Sequence, residues 1–474
     1  MHLELDGKGA LYEQLTRALK RGILGGHLRG GGKLPATRAL ANDLDVSRNT
    51  VLTAYEQLCS EQLATTRGGS GTYVAHNMGP RTSPRASNAV RPQSRYAARA
   101  RKLGPTMLAR TQPPVRYDLH CGEPLLSPAL ISVWRNELGK AASNTELRYA
   151  SLQGLPVLRQ AICDHIARRR GVFATPDDIV IVSGTQQALS LVARVLLDES
   201  HRAVIEDPRY ELAYQTLRAH GCRIVPVRTD GDGLVTNELP TTPVRLVYVT
   251  PSHQFPSGST MSLGRRMELL AYASERRCWI LEDDYDGEFR FDSKPIPALR
   301  SLDVRDRVIY VGSFSKIVFP SLRLGYVVCP KALVGDLTAA KKLDDLGCPA
   351  IEQTAMAEFI RSGRLERHLR RGTAELRRRR NCLIEGIRTH AGERIRLIDS
   401  RAGMHLTGWL PGFTYARLAR LIALGQERGL GLHAIHHFYK VAPATPGLIL
   451  GFASLSRIQI SHATKLLGAC LDEV

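Results

Sequence analysis

Residues 310–326 read YVGSFSKIVFPSLRLGY, a stretch in which Lys316 lies between small hydroxylated residues and Arg323 follows seven positions later. A lysine amine can bind a carbonyl cofactor as a Schiff base, while hydroxyls and a guanidinium bind its phosphate. An aliphatic run, residues 308–311, comes directly before these groups. The stretch therefore predicts a strand that ends in a cofactor-binding loop, although Lys316 alone could equally be a surface lysine.

Similar aliphatic runs recur through the rest of the chain, with helical stretches between them. They lie at residues 179–182, 203–205, 223–225, 246–249 and 279–281. Strands that alternate with helices predict an α/β fold with a largely parallel central sheet. Ligands bind such sheets at the carboxyl ends of the strands, so the residues after each run are the candidate site residues.

Three of these loops supply phosphate, ring and hydroxyl contacts. Gly184 and Thr185 begin a helix, and their free backbone amides could bind a phosphate. The ring of Tyr210 could stack on a planar cofactor, or it could simply pack in the core. Gln254 or His253 could reach a ring hydroxyl, and the sequence does not decide between them.

The remaining two loops carry the charged groups. Asp283 could bond a pyridinium nitrogen and keep it protonated, while Tyr285 could reach the phenolic oxygen of the same ring. Ser313 and Arg323 would bind the phosphate, and Lys316 would form the Schiff base once burial keeps its amine neutral. The acids clustered around Asp283 could also suit a metal, but no histidine lies nearby in sequence, so no metal is expected.

The first seventy residues predict a DNA-binding domain. Apolar residues at helical spacing between Leu11 and Leu24 predict an opening helix, and Thr37 and Ser47 are predicted to cap two further helices. Two short helices with a tight connection form a helix-turn-helix, whose second helix, about Ser47 to Glu61, would enter the major groove. Its buried side is predicted to be Val51, Leu52, Tyr55 and Leu58.

Residues 63–74 alternate around a glycine-rich tip and predict a hairpin, the wing of a winged helix-turn-helix. Side chains at the start of a recognition helix touch bases and phosphates. The residues expected to contact DNA are Arg38, Ser47, Arg48, Asn49, Thr50 and Gly71.

Residues 77–116 are predicted to be a flexible basic linker, because they contain six prolines and no acidic residue. Their charge of about +9 comes from Arg81, Arg85, Arg91, Arg95, Arg99, Arg101, Lys102, Arg110 and Arg116. The segment could contact DNA phosphates or act as a solubilising tether, and both interpretations stay open.

The composition of the 474-residue chain agrees with a DNA-binding protein. A formal net charge of +20 favours a polyanionic partner. Nine scattered cysteines without metal-binding spacing favour reduced thiols. No apolar stretch reaches about eighteen residues and no signal peptide is evident, so a cytoplasmic protein without a membrane span is expected.

Three ordered motifs, LPATR at 34–38, SRNT at 47–50 and GTYV at 71–74, resemble the winged helix-turn-helix of the GntR superfamily. The loops between Gly184 and Arg323 resemble those of fold-type I aminotransferases, which use pyridoxal 5'-phosphate (PLP). Together they resemble the MocR/GabR-type subfamily of GntR regulators.

This resemblance implies PLP as cofactor and a three-part chain. The parts are a winged domain at 1–76, the linker at 77–116 and an aminotransferase-like effector domain at 117–474, with a large mostly parallel sheet and a smaller C-terminal α+β subdomain. It also implies a homodimer, which can be domain-swapped, bound to double-stranded promoter DNA.

Two departures from the family pattern bear on the effector. Aminotransferases of this fold hold the substrate α-carboxylate with an arginine in a C-terminal strand, whereas residues 447–453 read GLILGFA and place Ile449 or its neighbour there. GABA-responsive members carry an arginine after the stacking tyrosine, where this chain has Glu211. Residues 436–439 (HHFY) could line the pocket or form an exposed loop.

The leading hypothesis is therefore a PLP-dependent transcription regulator that senses an amine, an amino acid or PLP itself through Lys316. A catalytic aminotransferase with an appended DNA-binding head is the alternative. A third interpretation is a DNA-binding protein whose PLP domain serves only for dimerisation. The missing arginine favours the sensor, because an unpaired carboxylate would bind poorly.

Overall fold

The computed structural model describes residues 3–76, 94–104, 115–146, 148–291 and 296–474. The chain divides into two compact units, Met1–Gln93 and Ser94–Val474. Four of the predicted linker cations, Arg81, Arg85, Arg91 and Arg110, lie outside the described residues. Within the described ranges, no helix is long and apolar enough to cross a membrane.

The first unit is a three-helix core with a hairpin. Its elements are α1 (Leu11–Leu24), α2 (Thr37–Asp43), α3 (Arg48–Ser60), β1 (Ala64–Arg67) and β2 (Gly71–Val74). Leu15 and Leu19 of α1 pack with Val51, Tyr55 and Leu58 of α3 in one buried cluster. The strands β1 and β2 pair antiparallel with Arg67 opposite Gly71, which confirms the predicted wing.

Two details of the predicted helices are corrected. Ser47 caps α3 as expected, since its Oγ accepts a hydrogen bond from the Thr50 amide at 3.1 Å. Ala36, not Thr37, precedes α2, and it makes no side-chain cap. Leu52 is 44% exposed, and Ala54 takes the buried place on α3 instead.

The second unit begins with helices and strands that alternate along the chain. In order they are α4 (Arg95–Arg101), β3 (Tyr117–Asp118), α5 (Pro128–Asn144), α6 (Pro156–Arg170), β4 (Ile179–Val182), α7 (Thr185–Leu196), β5 (Arg202–Asp207), α8 (Glu211–His220), β6 (Arg223–Asp230), β7 (Gly233–Leu234), β8 (Leu246–Val249), α9 (Leu263–Arg276), β9 (Trp279–Asp284), β10 (Val308–Ser313) and β11 (Gly325–Val328).

Eight of these strands form one sheet in the order β4-β11-β10-β9-β8-β5-β6-β7. The six predicted runs are all present, as β4, β5, β6, β8, β9 and β10, and the five from β10 across to β6 are parallel. The strand β11 runs antiparallel between β10 and β4, and sequence analysis missed it. Helices cover both faces, because Ile179 and Ile181 of β4 enter one core cluster while Val180 and Val182 enter another.

The chain continues into a smaller C-terminal part. Its elements are α10 (Lys331–Asp345), α11 (Ala350–Arg361), α12 (Arg364–His390), β12 (Arg396–Leu397), β13 (His405–Trp409), α13 (Tyr415–Glu427), β14 (Leu430–Gly431), β15 (His433–Ala434), β16 (Gly447–Gly451) and α14 (Arg457–Glu473). An antiparallel sheet, β12-β13-β16-β15, forms this part together with α13 and α14. The predicted α/β fold with a smaller α+β subdomain is confirmed.

The predicted flexible linker is wrong for residues 94–104. Helix α4 packs on α8, and Arg99 donates to the Ala219 carbonyl oxygen at 2.8 Å. Arg95 and Arg99 both pair with Glu199 at 2.9 Å. Helix α4 therefore belongs to the second unit, and Arg95 and Arg99 are engaged there rather than on a free tether.

Candidate functional site

A cavity of ≈ 280 Å³ lies among the loops that the sequence analysis singled out. Seven of the nine predicted cofactor residues line it: Thr185, Tyr210, Asp283, Tyr285, Ser313, Lys316 and Arg323. They come together because β8, β9 and β10 are parallel neighbours and therefore end at one edge of the sheet. Gly184 and Gln254 do not line the cavity.

Lys316 follows β10, and its amine donates a hydrogen bond to the Gly122 carbonyl oxygen. Burial lowers the pKa of this amine, although nearby acids, Asp286 and Asp283 among them, oppose the shift. A lowered pKa increases the neutral fraction of the amine, which is the form that attacks a carbonyl carbon. The predicted Schiff-base lysine therefore faces the cavity in a suitable environment.

One end of the cavity suits a phosphate. The Ser315 hydroxyl is buried there and has no hydrogen-bond partner among the described residues. The Ser313 hydroxyl accepts from the Ser315 amide at 3.2 Å, and Thr185 begins the twelve-residue helix α7. Arg323 donates to the Ser183 carbonyl oxygen at 2.8 Å. A cation, an orphaned hydroxyl and a helix N-terminus together form an anion site.

Gly184 does not line the cavity, but its lack of a side chain leaves room for the Arg323 guanidinium. Its φ of +81° lies in the region that favours glycine, and a Cβ there would lie 3.2 Å from the Arg323 guanidinium. The predicted cofactor contact of Gly184 is thus corrected to a supporting position beneath Arg323.

The opposite end suits a protonated ring nitrogen. Asp283 Oδ2 accepts from the Tyr248 hydroxyl at 2.8 Å, while Oδ1 is buried without a partner in the described part of the chain. Burial raises the pKa of Asp283 to about 7. Tyr248 was missed by sequence analysis, since only the β8–β9 register, with Tyr248 opposite Leu281, brings it to the face of Asp283.

Aromatic rings form the walls between the two ends. Tyr210 and Phe255 meet edge to face with centroids 5.7 Å apart, and Phe438 meets Phe255 at 5.2 Å. All three line the cavity. The Tyr285 hydroxyl lies 3.0 Å from His253 Nδ1. An aromatic wall of this kind suits contact with a planar ring, and Phe255 was not predicted.

Neither Gln254 nor His253 reaches the cavity. The Gln254 side-chain amide donates to the Pro208 and Phe255 carbonyl oxygens at 2.8 and 2.7 Å. His253 lies between Asp286, at 2.9 Å, and Ser400, at 3.1 Å. The predicted cofactor contact of Gln254 is therefore wrong, because buried backbone carbonyls already occupy its donors.

The acids on either side of Asp283 at the end of β9 have separate partners. Glu282 accepts backbone hydrogen bonds from Leu299 and Arg300, and Asp284 pairs with Arg170 at 2.6 Å. Within the described ranges, no group of three or more His, Cys, Asp or Glu side chains could hold a metal ion.

The expected carboxylate-binding position is apolar. Ile449 lies on β16, fully buried, and packs in one cluster with Cys121 and Phe438. Of residues 436–439 only Phe438 lines the cavity, while His436 contacts the Tyr415 ring at 5.0 Å. Ile449 thus carries no charge and lies behind Phe438, which lines the cavity, rather than in the lining itself.

The predicted DNA-contacting residues lie on the surface of the first unit. Arg38, Ser47, Arg48, Asn49 and Gly71 are exposed, and Thr50 is half-buried. Two exposed cations were not predicted: the Arg67 guanidinium lies 4.6 Å from the centroid of the Tyr73 ring, and the Lys33 amine lies 5.9 Å from it. Arg67 belongs to the wing and Lys33 borders it. Their basic side chains next to the predicted hairpin are the sequence feature that could have identified them.

Comparison with known proteins shows the same two parts. Residues 11–74 match the bacterial regulatory proteins of the gntR family, and residues 118–441 match aminotransferase class I and II. Over 457 residues the chain is 34% identical to the probable rhizopine catabolism regulatory protein MocR of Rhizobium meliloti, covering 96% of this chain and 92% of the relative. The chain belongs to the MocR-type GntR regulators.

Other relatives of this MocR-type regulator agree. It is 30% identical over 446 residues to the pyridoxine biosynthesis transcriptional regulator PdxR of Corynebacterium glutamicum, covering 93% of this chain and 91% of the relative. Kynurenine aminotransferase of Pyrococcus horikoshii, solved with PMP, superposes with a TM-score of 0.73 at 25% identity, covering 82% of this chain and 98% of that one. The MocR-type regulator is therefore a transcription regulator with an aminotransferase-like domain.

The raised pKa of Asp283 leads to a pH-dependent prediction. A carboxyl whose folded pKa is raised stabilises the fold below its unfolded pKa, and this contribution is lost as pH rises from about 4 to about 7. Without cofactor, Asp283→Asn is expected to melt above wild type at about pH 8, where wild-type Asp283 is ionised, and close to it at about pH 4. Melting curves at both pH values measure this. A gap of equal size at both would contradict it.

Proposed function

We propose that this regulator binds PLP through a Schiff base at Lys316 and senses an amine, an amino acid or PLP itself there. Effector binding changes the affinity of the winged unit for DNA. The main support for this proposal is the cavity that Lys316 lines. The same cavity is lined by a buried hydroxyl, on Ser315, and a buried carboxylate oxygen, on Asp283, and neither has a hydrogen-bond partner among the described residues.

Each group of the cofactor has a matching residue. Ser313, Ser315 and Arg323 with the start of α7 would bind the phosphate, and Asp283 would bond the ring nitrogen. Tyr210 and Phe255 would enclose the ring. PLP supplies an electrophilic carbonyl carbon to such a site.

Sensing is favoured over catalysis by two observations. The relatives that match over more than nine-tenths of the chain are described as regulators. The strand stretch where the carboxylate-binding arginine is expected, residues 447–451, carries no arginine, and Ile449 in it is fully buried among apolar residues. Ordinary amino-acid turnover would need a partner for that carboxylate.

The two sites would act through one conformational equilibrium. If an effector changes the affinity for DNA, DNA must change the affinity for the effector by the same factor. We infer a homodimer, whose winged units can be exchanged between subunits, as the assembly that carries this coupling.

The testing experiment uses the full chain with and without PLP. A binding site is first selected from a random pool of double-stranded DNA. We expect a visible absorbance band after PLP addition, and DNA affinity that changes when PLP is removed or an effector is added. Equal DNA affinity with and without PLP would defeat the sensing proposal and favour the scaffold. Steady turnover of an amino donor with a keto acid would favour the aminotransferase.

The recognition helix gives a separate prediction on the same DNA. Asn49→Ala is expected to relax the selected sequence and to weaken binding by about 1–3 kcal/mol, because asparagine reads base edges. Arg38→Ala should instead lower affinity for all sequences and reduce the salt slope by about one. Gel-shift titrations over a salt series distinguish these outcomes. Glu275→Gln, an exposed change in the second unit, serves as the control.

A further inference from the structure

The charges that line the cavity suggest which effector it accepts. Among the cavity-lining residues that the structure describes, Lys316 and Arg323 are the only lysine or arginine. On the proposed function, on which this inference rests, PLP occupies both of them. No guanidinium or ammonium then remains on the wall to pair with an effector carboxylate.

Acidic side chains are more numerous on the same wall. Glu123, Glu211, Asp283 and Asp286 all line the cavity. Asp286 is engaged with His253 at 2.9 Å, and Asp283 has the position for the ring nitrogen. Of the acids that line the cavity, Glu211 is the one on which this inference rests, and it is half-buried.

Glu211 lines the cavity, and the Gln215 side-chain amide donates to its Oε1 at 3.3 Å. It is the first residue of α8, directly after Tyr210. Arg209 pairs with it at 3.2 Å, but the Arg209 guanidinium lies outside the cavity lining and stacks 4.1 Å from the centroid of the Tyr214 ring. Arg209 is thus engaged with Glu211 and Tyr214 and is not among the cavity-lining residues that could offer the effector a cation.

The apolar surface around Phe438 disfavours binding of an effector carboxylate. Ile449 packs with Phe438, and Phe438 lines the cavity beside Phe255. A carboxylate turned toward this surface would lose its hydration without gaining a partner, which is unfavourable.

We propose that the effector is a primary amine with a second cationic group and no carboxylate, a diamine in its simplest form, whose distal ammonium pairs with Glu211. The free amine forms a C=N bond to the carbonyl carbon that Lys316 held, and the C=N bond to Lys316 Nζ breaks. The two hydrogens of the incoming nitrogen pass to Nζ. No oxidant, reductant or water is consumed.

The experiment titrates the PLP-loaded full chain with three sets of amines of matched length and follows the visible band. The diamines are diaminopropane, putrescine and cadaverine; the monoamines are propylamine, butylamine and pentylamine; the ω-amino acids are β-alanine, GABA and aminovalerate. The best diamine is expected to act at concentrations at least about tenfold below its matched monoamine, as one charge-assisted hydrogen bond implies. The ω-amino acids should be weakest.

Glu211→Gln tests the residue itself, with the exposed Glu275→Gln as matched control. Glu211→Gln should weaken the diamine response and so abolish the preference for diamine over monoamine, while Glu275→Gln keeps the wild-type order. Retained PLP absorbance shows that the variant is folded. The DNA affinity of wild type should respond to the diamine and not to the ω-amino acid.

Two kinds of failure are distinct. A yellow protein that responds best to ω-amino acids, responds equally to all three sets, responds to none, or keeps its preference in Glu211→Gln overturns this inference and leaves PLP binding standing. A protein that stays colourless with added PLP overturns the proposed function and this inference with it.

Discussion

Lys316→Ala is expected to abolish the visible absorbance band of the PLP-treated protein and to make its DNA affinity independent of added amine. Lys316 is the only lysine among the cavity-lining residues described, so no other amine there can replace it. The loss should be complete, since a Schiff base requires a primary amine. Absorbance spectra and gel-shift titrations with and without amine measure both effects.

Two further variants serve as controls for the loss of charge and for the loss of any lysine. Lys316→Arg keeps a positive charge but cannot form the imine, so it should also stay colourless. Lys331→Ala removes an exposed lysine at the start of α10 and should behave as wild type. A Lys316→Ala protein that still gains the band, or whose DNA affinity still follows amine concentration, would contradict the proposal.

Most of the sheet could be predicted because many of its strands are short aliphatic runs, buried on both faces. Residues 179–182 and 246–249 show no alternation of polar and apolar side chains, which is typical of a strand in a covered parallel sheet. Strand direction is not encoded in this way. Residues 325–328 continue the cofactor motif itself, and only the fold shows that they return antiparallel as β11.

The site residues were predictable where they follow a strand directly and not where they depend on register or loop path. Asp283 and Lys316 follow from position alone. Tyr248 contributes through pairing of β8 with β9, which sequence does not specify. In the loop after β8 the apolar Phe255 faces the cavity and the polar Gln254 turns inward.

The inward orientation of Gln254 has a physical cause. The loop after β8 buries backbone carbonyls that need donors, and Gln254 supplies them. Choosing the most polar residue of a loop as the ligand contact therefore fails where the loop has unsatisfied backbone groups of its own.

Arg170→Met is expected to destabilise the second unit by about 3–5 kcal/mol, because it leaves a buried charge without its partner. Arg170, the last residue of α6, is 1% exposed and donates to Asp284 Oδ2 at 2.6 Å. Its guanidinium also donates to the Ile296 carbonyl oxygen at 2.9 Å, and the Tyr310 hydroxyl donates to the same carboxylate at 2.7 Å.

The unfolding of the second unit can be followed separately. All three tryptophans, Trp134, Trp279 and Trp409, belong to it, so intrinsic tryptophan fluorescence reports that unit alone. Denaturant midpoints of wild type and Arg170→Met, compared at equal PLP concentration, give the difference in stability. Arg228→Met, at an exposed pair with Glu238, is the matched control and should leave the midpoint unchanged.

A double variant separates loss of a favourable pair from the presence of an unpaired charge. Replacing Asp284 by leucine in the Arg170→Met protein removes the uncompensated carboxylate, so most of the lost stability should return. Equal instability of the single and double variants would show that the guanidinium acts through its carbonyl contacts instead.

Because Asp284 is adjacent to Asp283, the single variant should also bind PLP more weakly, and the double variant should regain part of that affinity.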